Sequence, residues 1–195
     1  EIGNINVNNS IKLTGNNAVM TNISFYIMAD DVLMTGFTLI EDQNDVAPII
    51  ATGVKNVEIS NVKLNFTAIN DYDGYAIWMN SVDNIKLLNN VISYVGTTVY
   101  NESNTNKKFA IFIEESDNAL IKGNTFNVNV TSCHVDWPEI PAGSWNWVRT
   151  PYCEGIVFDS CDGLEFSENT INLGYNSRSG SDDTIYVLDV VNSDN

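Results

Sequence analysis

Basic residues are scarce in this chain: Lys and Arg number nine against 25 Asp and Glu, giving a net charge of −16. A nucleic-acid partner needs cationic side chains to neutralise phosphates, as does an anionic membrane surface, so neither is expected. A polyanionic sugar is disfavoured for the same reason unless Ca²⁺ bridges the two sets of negative charge. Long apolar runs are also missing. No stretch approaches the roughly 18 apolar residues of a membrane span, so no membrane insertion is expected within this segment. The opening residues 1–9 carry neither a basic n-region nor an apolar h-region, as in a mature or excised segment. Cysteine is sparse, with Cys133, Cys153 and Cys161 in neither a C-x-x-C nor a zinc-type Cys/His spacing. Phosphate-binding glycine loops, nucleophile elbows and Asn-Gly hairpin turns do not occur.

What the chain does have is a repeat, carried on a composition that is 44% hydrophobic over 195 residues, enough for one domain with a sizeable core. Four segments align without gaps: Asn56-Val-Glu-Ile-Ser-Asn-Val-Lys-Leu, Asn84-Ile-Lys-Leu-Leu-Asn-Asn-Val-Ile, Asn118-Ala-Leu-Ile-Lys-Gly-Asn-Thr-Phe and Gly163-Leu-Glu-Phe-Ser-Glu-Asn-Thr-Ile. Asp31-Val-Leu-Met-Thr-Gly-Phe-Thr-Leu fits the same template. Apolar residues hold the second, fourth and ninth places, which is the alternation of a strand. A further strand precedes each of the four, for example Ala76-Ile-Trp-Met and Ala110-Ile-Phe-Ile, joined by short polar turns such as Ser81-Val-Asp-Asn. One unit therefore reads strand, turn, strand, turn, short strand, loop, and no amphipathic helix separates the strands.

The spacing between units is 25, 28, 34 and 45 residues, from Asp31 through Asn56, Asn84 and Asn118 to Gly163. A floor near two dozen with variable excess means a constant rung with insertions at one corner. The fold expected is all-β, a right-handed parallel β-helix of about six to seven coils, stacked at about 4.8 Å. Inward positions follow: Ile49 and Ala51, Ile77 and Met79, Ile111 and Ile113, Ile156 and Phe158 on the first strand, with Val57 and Ile59, Ile85 and Leu87 and their equivalents on the second. The turn residues Asn90, Asn124 and Asn169 are expected to stack as an amide ladder, since an unpaired buried amide is costly. Cys161 falls at an inward place and is expected as a buried free thiol.

Gly155-Ile156, Cys161, Gly163, Leu164, Asn169 and Ile171, together with Ile111, Ser116, Asn118, Ile121, Asn124 and Phe126, resemble the template of the parallel β-helix repeat family, roughly Gly-Ile-x-Ile-x-x-Ser-x-Asn-x-x-Ile-x-x-Asn-x-Ile. The resemblance covers residues 22–195. That family includes polysaccharide lyases, polygalacturonases, epimerases, tailspikes and surface adhesins. The Asn-rich, acidic, Lys/Arg-poor style is most similar to the adhesin-like surface proteins of methanogenic archaea. The resemblance implies an extracellular or cell-surface location and a single domain over residues 1–195. The final turn signal, Ser193-Asp194-Asn195, marks an expected piece of a longer β-helix, with end-to-end self-association as the alternative. Five Asn-x-Ser/Thr sequons, at Asn8, Asn22, Asn65, Asn101 and Asn129, fit secretion.

The expected insertions are Tyr94–Lys108, Val128–Glu154 and Gly174–Asp183. The middle one gathers His134, Trp137, Trp145, Trp147 and Arg149 among three prolines, and Cys133 and Cys153 bracket it, so a disulfide there would close the loop in an oxidising compartment. Trp faces are platforms for sugar rings and equally good loop-core material. Outward positions on the first strands stack as Ile50, Trp78, Phe112 and Val157, either a satellite core under that loop or the floor of a groove. Binding to a glycan or cell-surface ligand through Trp137, Trp145, Trp147, Arg149 and His134, with Trp78 and Phe112 beneath, is the expected function. No catalytic residue, metal or cofactor is assigned. Were the chain a polysaccharide lyase or hydrolase instead, Glu114 and Asp159 would be its carboxylates, outward on adjacent coils and close enough to share a proton or a Ca²⁺ ion. Asp71-Tyr-Asp73-Gly74 resembles half a Ca²⁺ loop but lacks the distal Glu and reads as a turn.

Overall fold

The computed structural model describes residues 3–42, 47–68, 74–100, 108–134, 153–177 and 185–193, with backbone alone for 97–100, 108, 131–134, 153–154, 175–177 and 185–187. Coil one comprises β1 (Gly3–Val7) and β2 (Lys12–Thr21), and coil two comprises β3 (Ile23–Ile27) and β4 (Val32–Glu41). Coil three is β5 (Ile49–Thr52), β6 (Lys55–Ser60) and β7 (Lys63–Ala68); coil four is β8 (Gly74–Asn80), β9 (Asp83–Leu88) and β10 (Val91–Tyr100). Coil five is β11 (Lys108–Glu114), β12 (Leu120–Lys122) and β13 (Thr125–His134); coil six is β14 (Cys153–Asp159), β15 (Glu165–Ser167) and β16 (Thr170–Ser177). Strand β17 (Ile185–Val191) opens a seventh.

Every strand pairs in parallel with its counterpart one coil away. Face one is the seven-stranded sheet β1-β3-β5-β8-β11-β14-β17. The ten-stranded sheet bends into two further faces, because the first half of β4 pairs with β6 and its second half with β7. The bend falls at Gly36, whose φ of 76° lies in the left-handed region. Face two then runs β4-β6-β9-β12-β15 and face three β4-β7-β10-β13-β16. The protein is a parallel β-helix with a rod of roughly 30 Å through its six complete coils.

The corners are made by residues that tolerate left-handed backbone. Asp31, Asn56, Asn84, Asn118 and Gly163 share one corner column, with φ between 55° and 67°. Asn61, Asn89, Gly123 and Glu168 share another. This is why Asn, Asp and Gly recur at the first place of the repeat. In coils two to six the inward places expected on the first and second strands are buried, apart from the partly buried Leu164 and Phe166; in the end coils Ile5, Leu188 and Val190 are exposed.

The amide ladder runs through three coils. Asn124 Oδ1 accepts from the Asn90 N–H (2.9 Å) and Asn90 Nδ2 (3.0 Å), and Asn169 Oδ1 accepts from the Asn124 N–H (2.8 Å) and Asn124 Nδ2 (3.0 Å). Each Nδ2 also donates to a backbone carbonyl of the preceding coil, Ile59, Leu87 or Ile121. At the head of the ladder, Asn90 Oδ1 takes the Val62 N–H at 2.9 Å. No donor or acceptor of Asn124 is wasted. A second buried column carries Val82, Ser116 and Cys161: Ser116 Oγ accepts the Val82 N–H at 3.0 Å, and the Cys161 N–H reaches Ser193 Oγ at 2.8 Å. Cys161 is a free thiol, 0% exposed, in the place that serine holds one coil earlier.

Two expectations are corrected. The third strand is not short: β10 and β13 are ten residues each, paired in register from Val91↔Thr125 to Tyr100↔His134. The insertions therefore start later than expected, at residue 101 rather than Tyr94, 135 rather than Val128 and 178 rather than Gly174. Tyr94 is a core residue, fully buried, with its hydroxyl donating to the Gly74 carbonyl at 3.1 Å. Residues 3–21 form a complete coil ahead of the recognised repeat. The variable connections all join face three to the next face one, from one residue (Asn22) to the 18 residues 135–152.

Asn124→Ala removes the acceptor of two donors and the donor to Leu87, and should lower stability by roughly 3 kcal/mol, read as the shift in a urea denaturation midpoint; a change under about 1 kcal/mol would mean the ladder is not structural. Burial pushes the Cys161 thiol above its ordinary value. The unfolded thiol then ionises first, so this contribution is complete at neutral pH and lost as the pH climbs through the folded value. Cys161→Ser should flatten the alkaline arm of the stability–pH curve, with little change at pH 7.

Candidate functional site

The outer surface of face one departs from simple alternation. Ala76 and Ile77 are both buried in the core, as are Ala110 and Ile111, so each strand shifts phase by one residue there. The ladder skips that step: Phe109 pairs with Tyr75 and Ile111 with Ile77, with no pair between. Small or constrained residues hold this place in coils two to six, Ser24, Pro48, Ala76, Ala110 and Gly155 in turn. The phase shift puts two outward aromatics on each strand instead of one, Tyr75 with Trp78 and Phe109 with Phe112.

These four rings form a cluster outside the coil. Tyr75 stacks on Phe112 at 5.5 Å and 19° and on Trp78 at 6.0 Å and 29°. Phe109 sits 5.7 Å from Tyr75 and 5.3 Å from Phe112 in tilted geometry. Phe109, Phe112 and Val157 are 3%, 7% and 4% exposed, although they point away from the main core. Tyr75 and Trp78 are partly buried against them. The expected stripe is therefore a second packed cluster in which Trp78 and Tyr75 keep accessible surface. Ile50 precedes Trp78 in register, with Tyr26 before it.

A polar rail flanks the aromatics two residues along each strand, Asn80, Glu114 and Asp159, paired in register. The carboxylates face adjacent rungs as the sequence implied, but each has a neighbour of its own. Glu114 Oε1 accepts the Trp78 indole N–H at 3.0 Å. Asp159 Oδ1 accepts from Ser160 Oγ at 3.0 Å and from Asn192 Nδ2 at 3.3 Å. The indole bond fixes the plane of Trp78 and ties the rail to the aromatic cluster. Among the described residues, no three His, Cys, Asp or Glu side chains converge on a common point.

Trp137, Trp145, Trp147 and Arg149 lie outside the described residues, as do Asp71 and Asp73. His134 ends β13 opposite Tyr100, Cys133 lies beside it and Cys153 starts β14; all three have their side chains outside the described set. Tyr75 and Phe109 are the site residues that sequence reasoning missed. The signal was present as the aligned small residues Ala76, Ala110 and Gly155, each just before an inward Ile.

No protein-family model matches this chain, and no curated protein does. Among solved structures it is similar to the crystal structure of a double mutant of the periplasmic alginate epimerase AlgG, at 12% identity and a TM-score of 0.31. That similarity covers 96% of this chain and 47% of the other, so the chain spans about half of that protein's length. No residue role passes between the two at this level.

Phe109→Ala tests whether the outer cluster is packed core: a loss of about 3 kcal/mol in denaturant unfolding is expected, whereas a neutral effect would make the cluster an open groove floor.

Proposed function

We propose that the chain is an adhesin-like, extracellular β-helix module that binds glycans at the cell surface without turning them over. The observation that carries this is the outer aromatic cluster of face one, with Trp78 oriented by Glu114 and an amide–carboxylate rail beside it. Partly exposed aromatic faces next to hydrogen-bonding side chains suit a sugar ring, which offers C–H groups to the face and hydroxyls to the rail. A rigid sheet holds these groups in place before any ligand arrives, which lowers the entropic cost of binding. The acidic surface and the shortage of Lys and Arg favour neutral glycans over uronates. Trp137, Trp145, Trp147, Arg149 and His134 extend the reading as proposed ligand contacts.

A binding role is supported by the carboxylates. Glu114 Oε1 accepts an indole N–H and Asp159 Oδ1 accepts from Ser160 and Asn192, contacts that suit a rail positioned beside the aromatic rings. Their pairing in register on adjacent coils keeps a second reading in play, a polysaccharide-active enzyme using the two as a pair.

A panel of neutral and acidic polysaccharides decides between them. Binding to a neutral glycan that weakens about tenfold in Trp78→Ala, with no reducing ends or unsaturated products released, is the expected result. Turnover that disappears in Glu114→Gln or Asp159→Asn would replace the binding reading with the enzymatic one.

A further inference from the structure

Of the five sequons, Asn101 lies outside the described residues and none of the other four is on the outer surface of face one. Asn8 is in the exposed turn after β1. Asn22 sits in a corner with φ of 55°, and its amide oxygen is buried. Asn65 and Asn129 both project from face three, on β7 and β13, and both are exposed.

Face three differs from the rest of an acidic molecule. Among the described outward positions of β7, β10, β13 and β16, Lys63 is the only charged side chain. One column of this face holds Asn65, Ser93, Asn127 and Asn172 in register. Asn172 Nδ2 donates to Asn127 Oδ1 at 2.9 Å and Asn127 Nδ2 to Ser93 Oγ at 3.4 Å, and there the row stops. The Asn65 amide has no hydrogen-bond partner among the described residues. The two asparagines tied into the row belong to no sequon, whereas Asn65 outside it does. In a strand, residues two apart share a face, so Asn65 presents its amide beside the Thr67 hydroxyl that completes its sequon. Asn129 lies opposite Gly174 of the next coil, where any side chain would run into its amide.

We infer that Asn65 and Asn129 are N-glycan acceptors, so that face three carries sugar while the outer surface of face one, which holds no sequon among the described residues, stays bare for ligand. In the transfer, the Asn Nδ2 attacks the anomeric carbon of a lipid-phosphate-linked oligosaccharide. A C–N bond forms, the anomeric C–O bond breaks, the lipid phosphate leaves with the electron pair, and the amide gives up a proton to the transferase. Nothing is oxidised or reduced. The inference rests on the extracellular reading, because the chain must meet such a donor during export. A neutral, hydroxyl- and amide-rich face tolerates bulky hydrophilic sugars with no ion pair to break.

The test is to export the chain from cells that N-glycosylate, with an exposed sequon tag at one terminus, and to map occupancy by peptide mass spectrometry. Asn65 and Asn129 should be occupied and Asn22 empty. Thr67→Ala should abolish occupancy at Asn65 and leave Asn129 unchanged. An empty Asn65 on exported chain whose tag is glycosylated overturns the acceptor assignment alone. Retention of the chain inside the cell counts against the extracellular reading and overturns the inference with it. Glycan binding by enzymatically deglycosylated protein is measured separately, so failure there bears only on face one.

Discussion

The backbone hydrogen bonds that run from each coil to the next govern everything else in this molecule. They are parallel and in register, so a residue at a given place lies directly beside its counterparts one coil away. Each column must then be compatible with itself. Aliphatic side chains satisfy that demand by simple contact, and they fill the interior. Asparagine satisfies it because an amide both gives and receives, so that Asn90, Asn124 and Asn169 stack in one column, the first two buried, with each side-chain amide bonded to its neighbours. Carboxylates do not satisfy it, and where Glu114 meets Asp159 each turns to a donor of its own.

The same constraint divides the surface by chemistry. Face one collects rings because two aromatics per strand are repeated on adjacent coils. Face two carries the exposed ion pairs, Lys122 with Glu168 at 3.0 Å among them. Face three is nearly neutral. A rod whose sides differ this much has a defined orientation towards whatever it meets, even though its coils are close to equivalent internally.

Much of this was legible in the sequence, since strand alternation and corner asparagines are local signals. The inward positions, the ladder and the buried Cys161 follow from them directly. The parts that escaped lack a local signal or break one. Coil one is exposed along most of β1 and β2, and its alternation is confined to short stretches such as Ile5-Asn6-Val7 and Lys12-Leu13-Thr14. The long third strands continue through Gly96, Thr97 and Thr98, residues that read as loop until the neighbouring coil supplies partners. Tyr75 and Phe109 were missed because a one-residue phase shift at Ala76 and Ala110 turns an apparent core position outward. Among the candidate site residues, Trp78, Phe112, Glu114 and Asp159 came together as their columns implied, whereas the tryptophan segment belongs to no repeat and its sequence offers no register.

The confinement of all large length variation to the passage from face three to the following face one has a bearing on how such a protein changes over time. Strands and tight corners cannot gain a residue without throwing their column out of step with every neighbour, but that passage ranges from one residue to 18 within this chain while the rungs on either side keep their spacing. A segment there can therefore be lengthened or exchanged without disturbing any column, much as a blade is swapped in a fixed handle, and the frame carries no memory of the exchange.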